Sequence, residues 1–380
     1  MSDHEMRRRR FLTLAAAGAS TLLVPGTAQS LPRERACNRA AYLGSFTWTT
    51  PPGHGFDIAR HHSASGKLTS VSRLGGVSDA SWMDFSPSRR ILYTTNELTP
   101  EGAVTALDVT DPFAPEVLNT RSSRGGGPTH LSVHPDGRFL LTANYTDGSI
   151  VVHRLQDDGR VGASTDLVRH VGTTRAAKAH QVLTDPSGNW VVAVDLGADA
   201  VYTYALDTRG GELTEHRRLD LPTGTGPRHL AFHPDGEHAY LLAELASTVT
   251  VLSWDSTSGT FTPGQVLDTR GDHTGGENFP AEIVISSDGR FAYATNRGDD
   301  TIATLGIGVR TDSPKLLETV PTGGSWPRHC ALSPEQDRLY VANQRSGTVT
   351  SLPRDPVTGS LRPAELPVDV PGVAMVAFPS

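Results

Sequence analysis

Short runs of β-forming residues, several with alternating apolar and polar side chains, recur from about residue 41 to residue 378. Examples are Phe139–Ala143 (FLLTA), Phe291–Thr295 (FAYAT) and Thr348–Leu352 (TVTSL). Such runs, when turn-forming residues separate them, indicate β-strands. The 38 glycines and 26 prolines are spread over the whole chain, which indicates many short elements joined by turns rather than long helices.

A turn phrase repeats along the chain with a nearly constant period. His-Pro-Asp-Gly occurs at His134–Gly137 and at His233–Gly236, and related phrases contain residues 87, 186, 287 and 334. The second positions of the six phrases are 48, 51, 48, 53 and 47 residues apart. Each unit contains four strand signals, and four strands in a unit of about fifty residues are typical of a β-propeller blade.

A seventh unit is divided between the two ends of the chain. Val373–Phe378 looks like a first strand, whereas Ala41–Phe46 and Phe56–Arg60 look like second and third strands. Strands of one blade that come from both termini close the ring and leave no open edge. The sequence therefore predicts an all-β fold over residues 38–380: a seven-bladed β-propeller of four-stranded antiparallel blades, closed by N- and C-terminal strands in one blade.

Residues 1–30 have the composition of an export signal. Arg7–Arg10 precede the apolar run from Phe11 to Val24, and small residues follow up to Ala28. This order of charged, apolar and small residues predicts a signal peptide, and the Arg-Arg-Arg-Phe-Leu order is similar to a twin-arginine signal. The alternative is a disordered basic tail. We therefore expect a periplasmic or extracellular protein without a membrane span, because no apolar stretch reaches about 18 residues.

Composition excludes several function classes. A formal charge of −7 argues against a nucleic-acid partner, which needs a basic face. Cys37 and Cys330 are too few for a disulfide framework or a cysteine-rich metal site. They could form one disulfide, or Cys330 could be a small buried residue within a strand. Neither an HExxH motif nor an Asp/Asn ligand cluster is present, so we predict no metal or other cofactor. The absence of a Gly-x-Ser-x-Gly motif argues against a serine esterase.

Alignment of the repeats with one another separates regular positions from irregular ones. An Asn or Asp usually ends the second strand and indicates a scaffold role. The next position is irregular, and it holds Glu97, Tyr145, Leu196, Glu244, Arg297 and Gln344. The start of the first strand is also irregular, with Ser81, Thr129, His180, Arg228, Ala281 and Arg328. The position after it holds Trp82, His130, Gln181, His229, Glu282 and His329.

First strands line the central channel of a propeller, so these positions should converge at its entrance. We predict His180, Arg228, Glu244 and Arg297 as catalytic residues around one funnel; the alternative is a salt-bridged rim. Arg328, Glu282, His130 and His229 are further candidates for substrate binding. For the histidines that recur in this column the alternative is packing, and for Glu282 it is pairing with a neighbouring arginine.

These stretches resemble the seven-bladed lactonase family of the bacterial 6-phosphogluconolactonase and carboxy-muconate lactonizing enzyme type. The motifs are Ala179–Gln181 with Asp195–Asp199, Gly226–His229 with Glu244–Leu245, Glu282 with Ser287–Arg290 and Thr295–Gly298, and Trp326–His329 with Ala342–Gln344. In lactonizing relatives a His, two Arg and a Glu are functional, which the resemblance places on His180, Arg228, Arg297 and Glu244. Two features depart from the family: the export signal, and the loss of the Asp-Gly turn at Ser86–Arg89.

The resemblance implies a lactone hydrolase that opens an aldonolactone by attack of water. An imidazole is suited to general acid–base catalysis, so His180 is the expected base or acid. Arg228 and Arg297 would hold the carbonyl oxygen or an anionic group, and Glu244 would orient an arginine or share proton transfer. The alternatives are a muconate-type cycloisomerase, which uses the same residues, and a non-catalytic exported propeller that binds a protein or glycan.

Overall fold

The structure, a computed structural model, describes residues 38–308 and 313–379, and every regular element in these ranges is a β-strand. The strands form seven four-stranded antiparallel sheets. No helix among the described residues is long and apolar enough to cross a membrane. The predicted signal peptide and Cys37 lie outside the described residues.

The first three blades follow one another in the chain. The first contains β4 (Met83–Phe85), β5 (Ile91–Asn96), β6 (Ala103–Asp108) and β7 (Glu116–Ser122). The second contains β8 (Pro128–Val133), β9 (Phe139–Asn144), β10 (Ser149–Leu155) and β11 (Val161–Arg169). The third contains β12 (Ala179–Thr184), β13 (Trp190–Asp195), β14 (Ala200–Leu206) and β15 (Leu213–Asp220).

The next three blades repeat the same order. The fourth contains β16 (Pro227–Phe232), β17 (His238–Ala243), β18 (Thr248–Asp255) and β19 (Thr260–Asp268). The fifth contains β20 (Phe279–Ile285), β21 (Phe291–Arg297), β22 (Thr301–Gly306) and β23 (Lys315–Pro321). The sixth contains β24 (Pro327–Leu332), β25 (Arg338–Asn343), β26 (Thr348–Pro353) and β27 (Glu365–Asp369).

The seventh blade joins the two ends of the described chain, as the repeat pattern predicts. Its order is β28 (Val373–Ala377), β1 (Asn38–Ser45), β2 (Phe56–His62) and β3 (Lys67–Arg73). Strand β28 pairs antiparallel with β1, with Leu43 opposite Val376 and Gly44 opposite Met375. Gly44 faces the first blade so closely that a Cβ atom there would lie 1.9 Å from the Ala80 carbonyl oxygen. The predicted seven-bladed ring, closed within one blade, is confirmed.

Tyrosines of the second strands hold neighbouring blades together. The hydroxyl groups of Tyr42, Tyr93, Tyr293 and Tyr340 donate to backbone carbonyl oxygens of Pro112, Gly159, Gly359 and Gly66 at 3.0, 2.8, 2.8 and 2.6 Å. Each ring is buried, and each partner belongs to an adjacent blade. A buried hydroxyl needs such a partner, and each aromatic ring adds apolar area between the sheets. Cys330 is fully buried in β24, as predicted for a small residue within a strand.

The turn of the first repeated blade keeps its geometry without the Asp-Gly pair. Arg89 has a φ of 59°, close to the 73° of Gly137 in the second blade. Its backbone amide donates to the Ser86 carbonyl oxygen at 2.8 Å, as that of Gly137 donates to His134. An L-residue in this conformation costs about 1–2 kcal/mol, which the surrounding sheet tolerates. The loss of the Asp-Gly pair therefore leaves the geometry of this turn unchanged.

Irregular pairing at the start of the inner strands sets up the channel entrance. The ladder between the first and second strands skips Thr129, His180, Arg228 and Arg328 in four different blades. A bulge of this kind redirects a side chain from the sheet face. The skipped residues belong to the column that the sequence marked as irregular. Blades with the same backbone structure therefore carry different side chains at one end of the channel.

Candidate active site

One carboxylate joins two guanidinium groups from adjacent blades at the channel entrance. The Oε2 atom of Glu244 lies 3.1 Å from Nε of Arg228 and 2.6 Å from Nη2 of Arg297. Arg228 also donates to the Ala281 carbonyl oxygen, and Nε of Arg297 donates to that of Phe279 at 2.8 Å. These contacts fix both guanidinium groups, so they are preorganised for a ligand rather than free to collapse onto it.

His180 lies beside this pair in the preceding blade. Its ring is buried, and the ring centroids of His229 and Tyr145 are 5.0 and 5.7 Å away. Its Nδ1 atom has no hydrogen-bond partner among the described residues. Burial, followed by the charge of Arg228, holds the pKa of His180 well below its usual range. The imidazole is therefore neutral near pH 7 and has a nitrogen able to accept a proton.

Three guanidinium groups lie at the entrance. The third, from Arg328, lies 3.2 Å from Oε2 of Glu97, and the buried Glu282 carboxylate interacts with Arg228 and Arg328 from deeper in the channel. Burial, followed by Arg297 and Arg328, lowers the pKa of Arg228. A desolvated cation that is repelled by its neighbours is stabilised by any negative charge placed against it. The entrance is therefore suited to an anionic group or to an oxyanion that forms during reaction.

A second layer of side chains lies deeper in the channel. The Trp82 ring is 4.2 Å from that of His130 and 5.1 Å from that of His229. Oε1 of Glu282 lies 3.1 Å from Nδ1 of His229, and its Oε2 lies 3.7 Å from Nε2 of His329. A cavity of about 10 Å³ is lined by this layer together with Arg228 and Arg328, and a cavity of about 440 Å³ also reaches Trp82, Glu282 and His329. Contact of His130, His229, Glu282 and Arg328 with substrate remains a prediction.

Several residues at the entrance were not selected from the sequence. Tyr145 and Glu97 occupy the same irregular column as Glu244, and Trp82 shares the column of His130. Their positions were therefore marked, but nothing in the repeat showed that first- and second-blade side chains would reach residues of later blades. In the described part of the chain, no group of three or more His, Cys, Asp or Glu side chains could hold a metal ion.

Comparisons with known proteins identify relatives over nearly the whole described chain. Residues 40–378 match the family described as Lactonase, 7-bladed beta-propeller. The 6-phosphogluconolactonase of Bacillus subtilis (strain 168) is 32% identical over 345 residues, which cover 89% of this chain and 97% of that protein. The 6-phosphogluconolactonase of Pectobacterium carotovorum is 30% identical over 302 residues, which cover 79% of this chain and 88% of that protein. The structure of the Pseudomonas aeruginosa periplasmic gluconolactonase, PpgL, superposes with a TM-score of 0.85 at 27% identity. The superposition covers 90% of this chain and 99% of that chain.

The closed ring of seven blades and the family match define a propeller of the lactonase class. The family match covers almost the whole described chain. The chain belongs to the seven-bladed β-propeller lactonase family, and it is a lactone-hydrolysing enzyme.

The lowered pKa of His180 predicts an acid-shifted pH profile. A general base acts in its neutral form, which persists below pH 6.5 when the pKa lies below that value. We therefore expect kcat/KM to stay on a plateau as the pH falls through 6.5 and to decline only at lower pH. The measurement is kcat/KM on glucono-1,5-lactone from pH 4 to pH 8, corrected for spontaneous hydrolysis.

Circular dichroism at each pH is the control for that profile. Burial lowers the pKa of His153 to about 4, so this residue must gain a charge in acid and will then destabilise the fold. A half-maximal rate at pH 6.5 or above, with the fold intact, would contradict the assignment of the base.

Proposed function

We propose that the protein is an exported hydrolase that opens unphosphorylated aldonolactones, with His180 as general base. The observation that carries this proposal is the pair Arg228 and Arg297, fixed by Glu244 beside a neutral, buried imidazole. The same cluster supplies a proton acceptor and fixed donors for an oxyanion, which are the two requirements of lactone opening.

The reaction exchanges one C–O bond for another. His180 accepts a proton from water as the water oxygen bonds to the lactone carbonyl carbon. The carbonyl oxygen becomes an oxyanion, which Arg228 and Arg297 stabilise. The bond from the carbonyl carbon to the ring oxygen then breaks, and His180 returns the proton to the ring oxygen. The product is the open-chain hydroxy acid. We infer that Arg328 binds substrate hydroxyl groups.

Two observations favour an unphosphorylated substrate. The segment from Arg7 to Ala28 has the composition of an export signal, and free phosphorylated sugars are scarce outside the cytoplasm. The similar Pseudomonas aeruginosa protein is a periplasmic gluconolactonase. Because fixed guanidinium donors also bind neutral hydroxyl groups and carbonyl oxygens, the cations do not require a phosphate.

Substrate choice can be measured directly. We expect kcat/KM for glucono-1,5-lactone to equal or exceed that for its 6-phosphate, because no phosphate is needed to satisfy the guanidinium groups. Purified protein that lacks residues 1–30 is assayed with both lactones under one buffer. A preference of 10²-fold or more for the phosphate, about 2.7 kcal/mol, would replace this proposal by a 6-phosphogluconolactonase.

Export is tested separately in bacteria. Replacing all four arginines of Arg7–Arg10 by lysine keeps the charge but removes the twin-arginine order. We expect the unchanged chain to place lactonase activity in the exported fraction, and the lysine variant to retain it inside the cell. Equal distribution of the two chains, with a cytoplasmic marker as control, would reject this route.

A further inference from the structure

A second cavity opens beside the channel entrance, on the same face of the propeller. Its volume is about 700 Å³, within the range of about 300–1,000 Å³ that ligand sites occupy. It is lined by Trp48–Pro51 from the β1–β2 loop, Gln344–Gly347 from the β25–β26 loop, Pro371–Gly372 before β28, and Trp326 before β24. It therefore lies between the sixth and seventh blades.

Aromatic contacts on two sides connect this cavity to the arginines at the channel entrance. Cζ of Arg297 lies 5.5 Å from the ring centroid of Trp326, and Cζ of Arg345 lies 3.3 Å from the same centroid. On the other side, Cζ of Arg328 lies 5.0 Å from the ring of Phe46, whose centroid is 5.1 Å from that of Trp48. A molecule bound in the cavity would therefore adjoin one bound between the arginines.

The lining combines an open aromatic face with polar groups. Trp48 is 66% exposed, an unusual state for so large an apolar side chain in a concave surface. Oε1 of Gln344 is buried without a hydrogen-bond partner among the described residues. Arg345 and Asp369 also line the cavity. Indole faces pack against the C–H face of a pyranose, while amide and charged groups bind its hydroxyl groups.

We propose that this cavity is a glycosyl subsite and that the enzyme opens disaccharide lactones, in which an aldonolactone carries a neutral sugar ring. The proposal rests on the lactone hydrolase function above and extends it. The lactone ring occupies the arginine cluster, and the attached sugar stacks on Trp48. A neutral sugar fits better than a second anion, because the lining contains one anion, Asp369, as well as one cation, Arg345.

The test compares glucono-1,5-lactone with its 4-O-glucosyl and 6-O-glucosyl derivatives. We expect kcat/KM for at least one disaccharide lactone to be 10-fold or more above that for gluconolactone. Trp48→Ala should lower that value at least 10-fold and change the gluconolactone value less than twofold, since Trp48 contacts Phe46 rather than the cluster. Trp48→Phe should restore most of the preference, because it keeps an aromatic face.

Val357→Ala is the matched control. Val357 is also an exposed apolar residue, but it lies in the β26–β27 loop at the opposite end of the sixth blade. We expect it to leave all three kcat/KM values unchanged. Equal values for the three lactones in the native protein, and no selective effect of Trp48→Ala, would refute the subsite while leaving the hydrolase function intact.

Calorimetry keeps the two proposals distinguishable. Each disaccharide aldonate, the product of the reaction, is titrated into the native protein and into Trp48→Ala. We expect binding that weakens at least 10-fold in the variant. If no lactone is hydrolysed, the proposed function fails, and this titration alone decides the subsite: absent or unaltered binding overturns it.

Discussion

His180→Ala is expected to lower kcat on the best lactone by at least about 10²-fold, the lower end of the contribution of a positioned general base. The imidazole is buried, neutral and next to Arg228, and its Nδ1 atom has no hydrogen-bond partner among the described residues. KM should change little, because the base acts on water rather than on substrate binding. Steady-state kinetics with circular dichroism measures both effects.

Two further variants separate a catalytic from a structural role of His180. His216→Ala removes a histidine on the outer strand β15 of the same blade and should leave kcat unchanged. Added imidazole should restore part of the activity of His180→Ala, because the deletion leaves a space at the base position. Near-full turnover of His180→Ala would show that the assignment of the base is wrong.

Arg228→Gln is expected to lower kcat/KM by about 10²–10³-fold, the usual result of removing one preorganised oxyanion donor. Arg228→Lys should also be impaired, because an ammonium group cannot reproduce the fixed fork of a guanidinium. The fold should survive both changes, since Glu244 keeps its ion pair with Arg297. Kinetics on glucono-1,5-lactone and thermal unfolding of each variant test these statements.

A double-mutant cycle shows whether the cluster acts as a unit. Glu244→Gln alone removes the carboxylate that both guanidinium groups contact. Combined with Arg228→Gln, it should cost clearly less than the sum of the two single effects on the activation free energy. Arg218→Gln, which breaks an ion pair with Asp220 on outer strand β15, is the control and should be silent. Additive losses would mean that Glu244 acts independently of Arg228.

Most of the fold could be predicted from the sequence because a propeller is a local structure repeated. The turn phrases at Gly137 and Gly236 fix a left-handed residue at the same point of each unit, and the strands around them need only neighbouring sequence to pair. The divided seventh blade followed from counting strands. The conformation of the turn at Arg89 could not be predicted from the sequence, because only the surrounding sheet shows that this arginine adopts the left-handed conformation of Gly137.

The site was predictable only where a position departed from its own repeat. His180, Arg228, Glu244 and Arg297 stood out because a scaffold role does not explain an imidazole in one unit and a guanidinium in the next. Trp48 and Phe46 did not stand out, because they belong to the divided blade, whose columns could not be aligned with the others.

The sequence by itself determined the blade count, the strand order and the set of irregular positions, since six blades are built from residues within about fifty places of one another and the strand signals left at the two ends complete a seventh. Tertiary structure alone decided which irregular positions meet. Arg328 pairs with Glu97, 231 residues away, because closing the ring brings the sixth and first blades to one channel. Burial in that channel also lowers the pKa of His180, and burial depends on all seven blades at once.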